Sequence, residues 1–261
     1  MNTPEIWNDI WLRTDASAEF RAWVKRESSG VRGRKIFAYI NKYLGNSPGI
    51  KTIEVGSGLG VYSFILASRG IEAALMDYSQ KALSLAERNF SSAGLKASFL
   101  CLDALSDLSG LKGKFDLAMS FGTLEHFKGR ERLLMAKAHF DLVRPGGLVI
   151  ISVPNRLFFP HEILNFFLHR ENKWPLGYER SLSRRELLGL ASEIGLRDAE
   201  LGGSAFIVDL VRYFFVFSGT RFLKKISRFL SVPVYFKDMV SPLDDLFGAD
   251  IFLMGRRPLP V

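Results

Sequence analysis

Cysteine is nearly absent: Cys101 is the only one in 261 residues. A single thiol excludes an internal disulfide, a cysteine-based structural zinc site and a CxxC redox pair, and it points to a reducing compartment. No uncharged apolar stretch approaches the roughly 20 residues of a membrane span, and MNTPEIWNDIWLR has no basic start followed by an apolar run. A cytoplasmic location is the expectation. Internal repeats, low-complexity tracts and disordered linkers are missing as well. Against these absences stand a 48% hydrophobic content, 22 phenylalanines and a net charge of +8 from 35 Lys+Arg and 27 Asp+Glu. The chain can bury a large core without staples, and its basic surface suits an anionic partner.

Hydrophobic spacing divides the chain. Residues 1–47 read as a helical cap, with Trp7, Ile10 and Trp11 and then Phe20, Trp23 and Val24 at i, i+3, i+4, closed by Gly45 and Pro48. From residue 48 to 157 short apolar runs alternate with helical patterns: KTIEV, IEAALMD, ASFLCLD, FDLAMSFG and LVIISVPN, the last after a Pro145-Gly146-Gly147 turn. Near-continuous apolar strands alternating with helices predict an α/β fold with a parallel sheet covered on both faces. Residues 158–180 read as an irregular aromatic insert. A helix opened by a Ser183/Glu186 capping box and a strand near 199–208 fill 181–208. An aromatic and basic lid spans 209–248, and a last strand, ADIFLMGR, lies in 249–261. One domain holds all of these parts.

The chemistry starts at Glu54-Val55-Gly56-Ser57-Gly58-Leu59-Gly60, where the first strand turns into the first helix. Glycines there let the backbone approach a ligand and present amide donors at a helix start. Asp77 ends the second strand, placed to take the hydroxyls of a ribose, or else to cap the next helix. Asp103, followed by Ala104, ends the third apolar run, placed to meet the exocyclic amine of an adenine. Three such features at successive strand ends lie along the crevice where open parallel sheets bind ligands, and together they indicate an adenosine-containing ligand.

These residues resemble the class I S-adenosylmethionine (SAM)-dependent methyltransferases. GxGxG fits that family better than the dinucleotide GxGxxG, FDLAMSFGTLEHF resembles its fourth strand and following loop, and LVRPGGLVIISVPN its fifth strand. The resemblance covers roughly 48–208 and 249–257. It implies a Rossmann-like sheet, mostly parallel with an antiparallel C-terminal strand and helices on both faces. It also implies SAM as cofactor, with Glu54, Gly56, Ser57, Gly58 and Gly60 around its methionine part. Asp77 and the adjoining Tyr78 would lie at the ribose, Asp103 and Ala104 at the adenine, and Phe121 and Gly122 near the sulfonium. The ubiquinone-pathway O-methyltransferases look similar at 121–127 but carry an acidic residue where this chain has Gly122. That difference speaks against a quinone acceptor and against a metal on this loop; no metal is expected.

His126 is the candidate general base, suited to take a proton near neutral pH; Glu125 beside it could instead anchor the loop. His161 and Tyr178, in the insert, are candidate acceptor contacts, whereas His139 is expected at a surface or an interface. Residues 209–240 carry six basic and two acidic residues among many aromatics. They admit three roles: a lid over a hydrophobic pocket, a peripheral membrane contact, or a homodimer surface. No nucleic acid is expected, since no RNA-binding module is present. The expected activity is methylation of a small, hydrophobic or lipid-linked acceptor at oxygen. N- or C-methylation of a natural product or sugar, and a non-catalytic SAM-binding regulatory subunit, are the alternatives.

Overall fold

The computed structural model describes residues 4–13, 16–45, 49–171, 174, 176–217 and 240–260. Three helices open the chain: α1 (Pro4–Arg13), α2 (Ala16–Ser29) and α3 (Val31–Leu44). Then β1 (Lys51–Val55), α4 (Val61–Ala67), β2 (Glu72–Asp77), α5 (Gln80–Ser92), β3 (Ser98–Cys101) and β4 (Phe115–Phe121) alternate as expected. They are followed by α6 (Gly129–Leu142), β5 (Val143–Pro154), α7 (Phe159–Arg170), α8 (Arg184–Glu193), β6 (Arg197–Gly203), α9 (Phe206–Phe217), a helical turn at Asp244–Phe247 and β7 (Asp250–Arg256). The seven strands form one sheet in the order β3-β2-β1-β4-β5-β7-β6. β1 to β5 pair in parallel, and β7 runs antiparallel to both β5 and β6.

The period-2 rule operates inside the continuous apolar runs. Ala118, Val149, Ile151, Ile251 and Leu253 point to the face covered by α6 and α8, whereas Leu117, Leu148, Ile150, Phe252 and Met254 point to the face covered by α3 and α4. Both faces are therefore dry, which is why these strands show no polar alternation. α3 is fastened across the sheet edge by polar pairs. Lys35 meets Asp244 at 3.3 Å and Asp245 at 3.1 Å, and the Tyr39 and Tyr43 hydroxyls donate to Glu200 at 3.0 and 2.6 Å.

Four expectations change. The insert 158–180 is largely a helix, α7, whose Pro160 sits in the first turn, where its missing N–H leaves no bond unmade. β3 stops at Cys101, because Asp103 turns the chain: its carboxylate accepts from the Leu105 amide at 2.8 Å. The strand near 199–208 ends at Gly203, where a side chain would collide with the Asp244 backbone, and a helix begins at Phe206. His139 is fully buried in α6, with Nδ1 2.8 Å from the Met135 carbonyl. Burial pushes its imidazole down to about 4, so it is a neutral core residue. The capping box at Ser183/Glu186 is present with both reciprocal bonds. Of the 209–248 lid, residues 218–239 lie outside the described residues.

Gly60 fixes the junction of β1 and α4. Its φ is +67°, and a Cβ there would stand 2.1 Å from Leu75 Cδ2, a side chain with no exposed surface. Gly60→Ala is therefore expected to lower unfolding free energy by about 2 kcal/mol or more in urea denaturation. An unchanged midpoint would mean that the loop relaxes freely.

Candidate functional site

The C-terminal ends of β1, β2 and β4 open into a cavity of about 570 Å³, within the usual range for small-molecule sites. Its wall gathers nearly the whole set of expected cofactor residues. Glu54, Gly56, Ser57 and Gly58 come from the first loop, Asp77 and Tyr78 from the end of β2, Asp103 and Ala104 from beyond β3, and Phe121 and Gly122 from the end of β4. His126 and Tyr178 face the same space. Gly60 does not line it and acts through the packing described above. His161 does not line it either; its Nε2 lies 3.3 Å from the carboxylate of Glu179, which does.

Asp77 is buried, and its two oxygens accept from the Gly58 and Ser79 amides, each at 2.8 Å. Burial raises its pKa, and these backbone donors oppose the rise. Capping of α5 is done by Ser79, whose hydroxyl accepts from the Ala82 amide, so the capping role considered for Asp77 falls to its neighbour. Glu54 is buried and accepts from the Ser63 amide at 2.9 Å, in the first turn of α4. Burial pushes its carboxyl up to about 7, against the pull of Ser63. Gly56 has φ +62°, and a Cβ there would meet Thr123 at 2.5 Å, so the first loop and the loop after β4 touch through a missing side chain.

The loop after β4 makes one turn of 3-10 helix, Leu124–His126. His126 Nδ1 lies 2.9 Å from the Tyr178 carbonyl, which can only accept. Nδ1 therefore donates, and Nε2 keeps a free lone pair. Burial lowers the pKa of this histidine, with Tyr178 and Glu179 opposing, so the ring is neutral at pH 7. Glu125 is 3% exposed, and its Oε2 has no hydrogen-bond partner among the described residues. Burial, then Glu179, raises its carboxyl well above the usual range. Gly122 has φ +79°, and a Cβ there would stand 3.5 Å from Glu125 Oε1. An acidic side chain at that position would be strained and would crowd a second carboxyl against Glu125.

The sequence reading missed the contribution of the cap. Trp7 of α1 meets the His126 ring edge-on at 5.0 Å, Trp11 lies over Gly58, and the Ser79 hydroxyl donates to Asn8 Oδ1 at 2.6 Å. Arg32 of α3 also lines the cavity, 3.0 Å from Asp250 and 3.9 Å from Glu27. Glu27 in turn accepts from the Tyr62 hydroxyl at 2.6 Å. The tryptophan spacing in α1 gave the apolar face, but nothing local gave its partner.

The residues fit SAM. Ser57 Oγ is buried on the cavity wall without a partner among the described residues, and the first loop is held open by glycines where side chains would intrude. Among the described residues no cluster of three or more His, Cys, Asp or Glu is placed to hold a metal.

Comparison with known proteins agrees with this geometry. A methyltransferase-domain family model matches residues 53–147. The ubiquinone biosynthesis O-methyltransferase of Azoarcus sp. (strain BH72) is 33% identical over 110 residues, 42% of this chain and 46% of the relative. That of Aromatoleum aromaticum is 28% identical over 162 residues, 60% of this chain and 68% of the relative. The chain thus spans under half of the first relative's length and about two thirds of the second's. Among solved structures, a magnesium protoporphyrin IX methyltransferase from Synechocystis with bound SAH matches with TM-score 0.58 and 16% identity over 90% of this chain and 84% of that one. A Haemonchus contortus phosphoethanolamine N-methyltransferase in complex with SAM matches with TM-score 0.61 and 17% identity over 97% of this chain and 60% of that one. At these identities the structural likeness speaks for the fold. The chain carries a methyltransferase domain over residues 53–147, and its fold and glycine loop are like those of the class I SAM-dependent methyltransferases. The domain match and the lining of the cavity agree on SAM as its cofactor.

Proposed function

We propose that the protein methylates a small, hydrophobic or lipid-linked acceptor at oxygen, with His126 as the general base. SAM supplies a methyl group already activated by its sulfonium. The chain's own residues then have two tasks, to align the acceptor and to take its proton. His126 is equipped for the second: Tyr178 fixes the tautomer with Nε2 unprotonated, and burial keeps the ring neutral. When the acceptor hydroxyl gives up its proton on methylation, His126 Nε2 would take it. Tyr62 and Phe121, stacked with centroids 3.7 Å apart, give the cavity an apolar aromatic wall that suits a ring or an isoprenoid-like group. The names of the bacterial relatives, O-methyltransferases of ubiquinone biosynthesis, support oxygen.

The observation that carries this reading is the tautomer of His126. His126→Ala is expected to lower kcat by about 100-fold or more on a phenolic acceptor found by screening, with SAM affinity little changed. The wild-type pH profile should hold its rate below pH 6.5, because the imidazole titrates below its ordinary value. Full turnover by the alanine variant would remove the base and leave alignment alone as the catalytic device.

A further inference from the structure

α7 has an inner side held by its neighbours and an outer side that methyl transfer leaves unused. The inner side is tied down. Phe158, just before the helix, is fully buried and meets the Tyr213 ring of α9 edge-on at 5.0 Å. His161 Nδ1 lies 2.8 Å from the Tyr213 hydroxyl, while its Nε2 faces Glu179 of the cavity wall. On the outer side Phe159, Ile163, Phe166 and Phe167 fall at i, i+4, i+7 and i+8 and form one stripe. All four are exposed, Phe159 at 58% and Phe166 at 61%, and Leu157 extends the patch. A folded chain rarely shows water so many adjoining large apolar side chains unless something covers them.

Charge indicates what covers them. Exposed Arg156 and Arg170 bracket the stripe. α9, which packs against α7, leads into residues 218–239, whose sequence holds five Lys or Arg and one acid, Asp238. Apolar rings with Arg156 and Arg170 at their two ends, on a chain of net charge +8, suit the boundary between headgroups and acyl chains of an anionic bilayer. A second copy of the chain would bring a further +8 to the same cations.

We propose that the outer stripe of α7 docks the protein on an anionic lipid surface. Docking places Glu179 and the cavity one helix thickness from the bilayer, where an acceptor with a lipid tail can reach them. Delivery of the acceptor rests on the methyltransferase reading above, whereas docking stands independently of it.

The full chain should cosediment with vesicles of phosphatidylglycerol and phosphatidylcholine at low salt, and poorly with phosphatidylcholine alone. The double variant Phe166→Glu/Phe167→Glu should bind the anionic vesicles about tenfold or more weakly, with SAM affinity unchanged, which shows that the fold is intact. Three outcomes would overturn the proposal. The wild type could bind SAM yet ignore vesicles, which leaves the cofactor reading standing. The double variant could bind vesicles as the wild type does, while Lys224→Glu/Lys225→Glu abolishes binding, which assigns docking to 218–239 alone. Sedimentation velocity could show a dimer that the phenylalanine substitutions dissociate, which assigns the stripe to a second copy.

Discussion

Asp77→Ala is expected to weaken SAM binding by about 100-fold or more in calorimetric titration. The carboxylate stands at the end of β2, with the Gly58 amide on one oxygen, the Ser79 amide on the other and the Tyr78 amide close by. The carboxylate is thus aimed by the chain before any ligand arrives. Two charge-assisted bonds to ribose hydroxyls are the natural use of that arrangement. The substitution also leaves the Gly58 and Ser79 amides unsatisfied in a buried site, so thermal stability should fall in parallel. Circular dichroism at the titration temperature separates the two effects. An affinity within about threefold of wild type in a folded variant would show that the ribose lies elsewhere.

Glu54 gives the second large effect, and it couples stability to pH. Its carboxyl titrates at about 7 in the folded chain against an ordinary value of 4.5, because burial penalises the charge. Between those values the folded state keeps a proton that the unfolded state has released, so the ligand-free protein loses stability as pH rises from 4.5 through 7. The shift corresponds to about 3 kcal/mol as an order of magnitude. Glu54→Gln, neutral at every pH, should raise the melting temperature of the ligand-free protein at pH 8 by about 5 °C and flatten its pH dependence. The same change should weaken SAM binding, since SAM carries two positive charges and Glu54 faces the cavity. For the wild type, SAM affinity should then rise between pH 6 and 8. Scanning calorimetry and titration at three pH values test both halves. A glutamine variant no more stable at pH 8 would mean that the carboxyl is relieved by something other than neutralisation.

The residues that line the cavity from the strand ends were readable in sequence. Glycines and carboxylates at strand ends are local signals, and the alternation of β and α fixes which ends face the same crevice. The strands that cross the core were readable for the same reason, as in β7, where the run ADIFLMGR coincides with the observed strand. Competition from side chains decided the misses. β3 is cut short by a turn that the Asp103 carboxylate itself closes. α7 looked irregular because a proline stands in its first turn and its run ILNFFL is apolar nearly all round, with no clear polar side to mark a helix. His139 looked like a surface residue because a lone histidine in a helix carries no sign of which face is covered; only the packing of α6 shows it. The roles of Trp7, Trp11 and Arg32 required knowing that residues far apart in the chain share one cavity, and no local pattern contains that.

α1 lies against the cavity at three points. Trp7 rests on the proposed base, Asn8 on the cap of α5, and Trp11 on the glycine loop, so one ten-residue helix touches both ends of the cavity. A cofactor in the cavity would lie against this helix through Trp7 and Trp11. Three of the four tryptophans in the chain line that space. The molecule thus carries a built-in optical reporter on this cavity, and a stopped-flow fluorescence trace can time cofactor binding without a label.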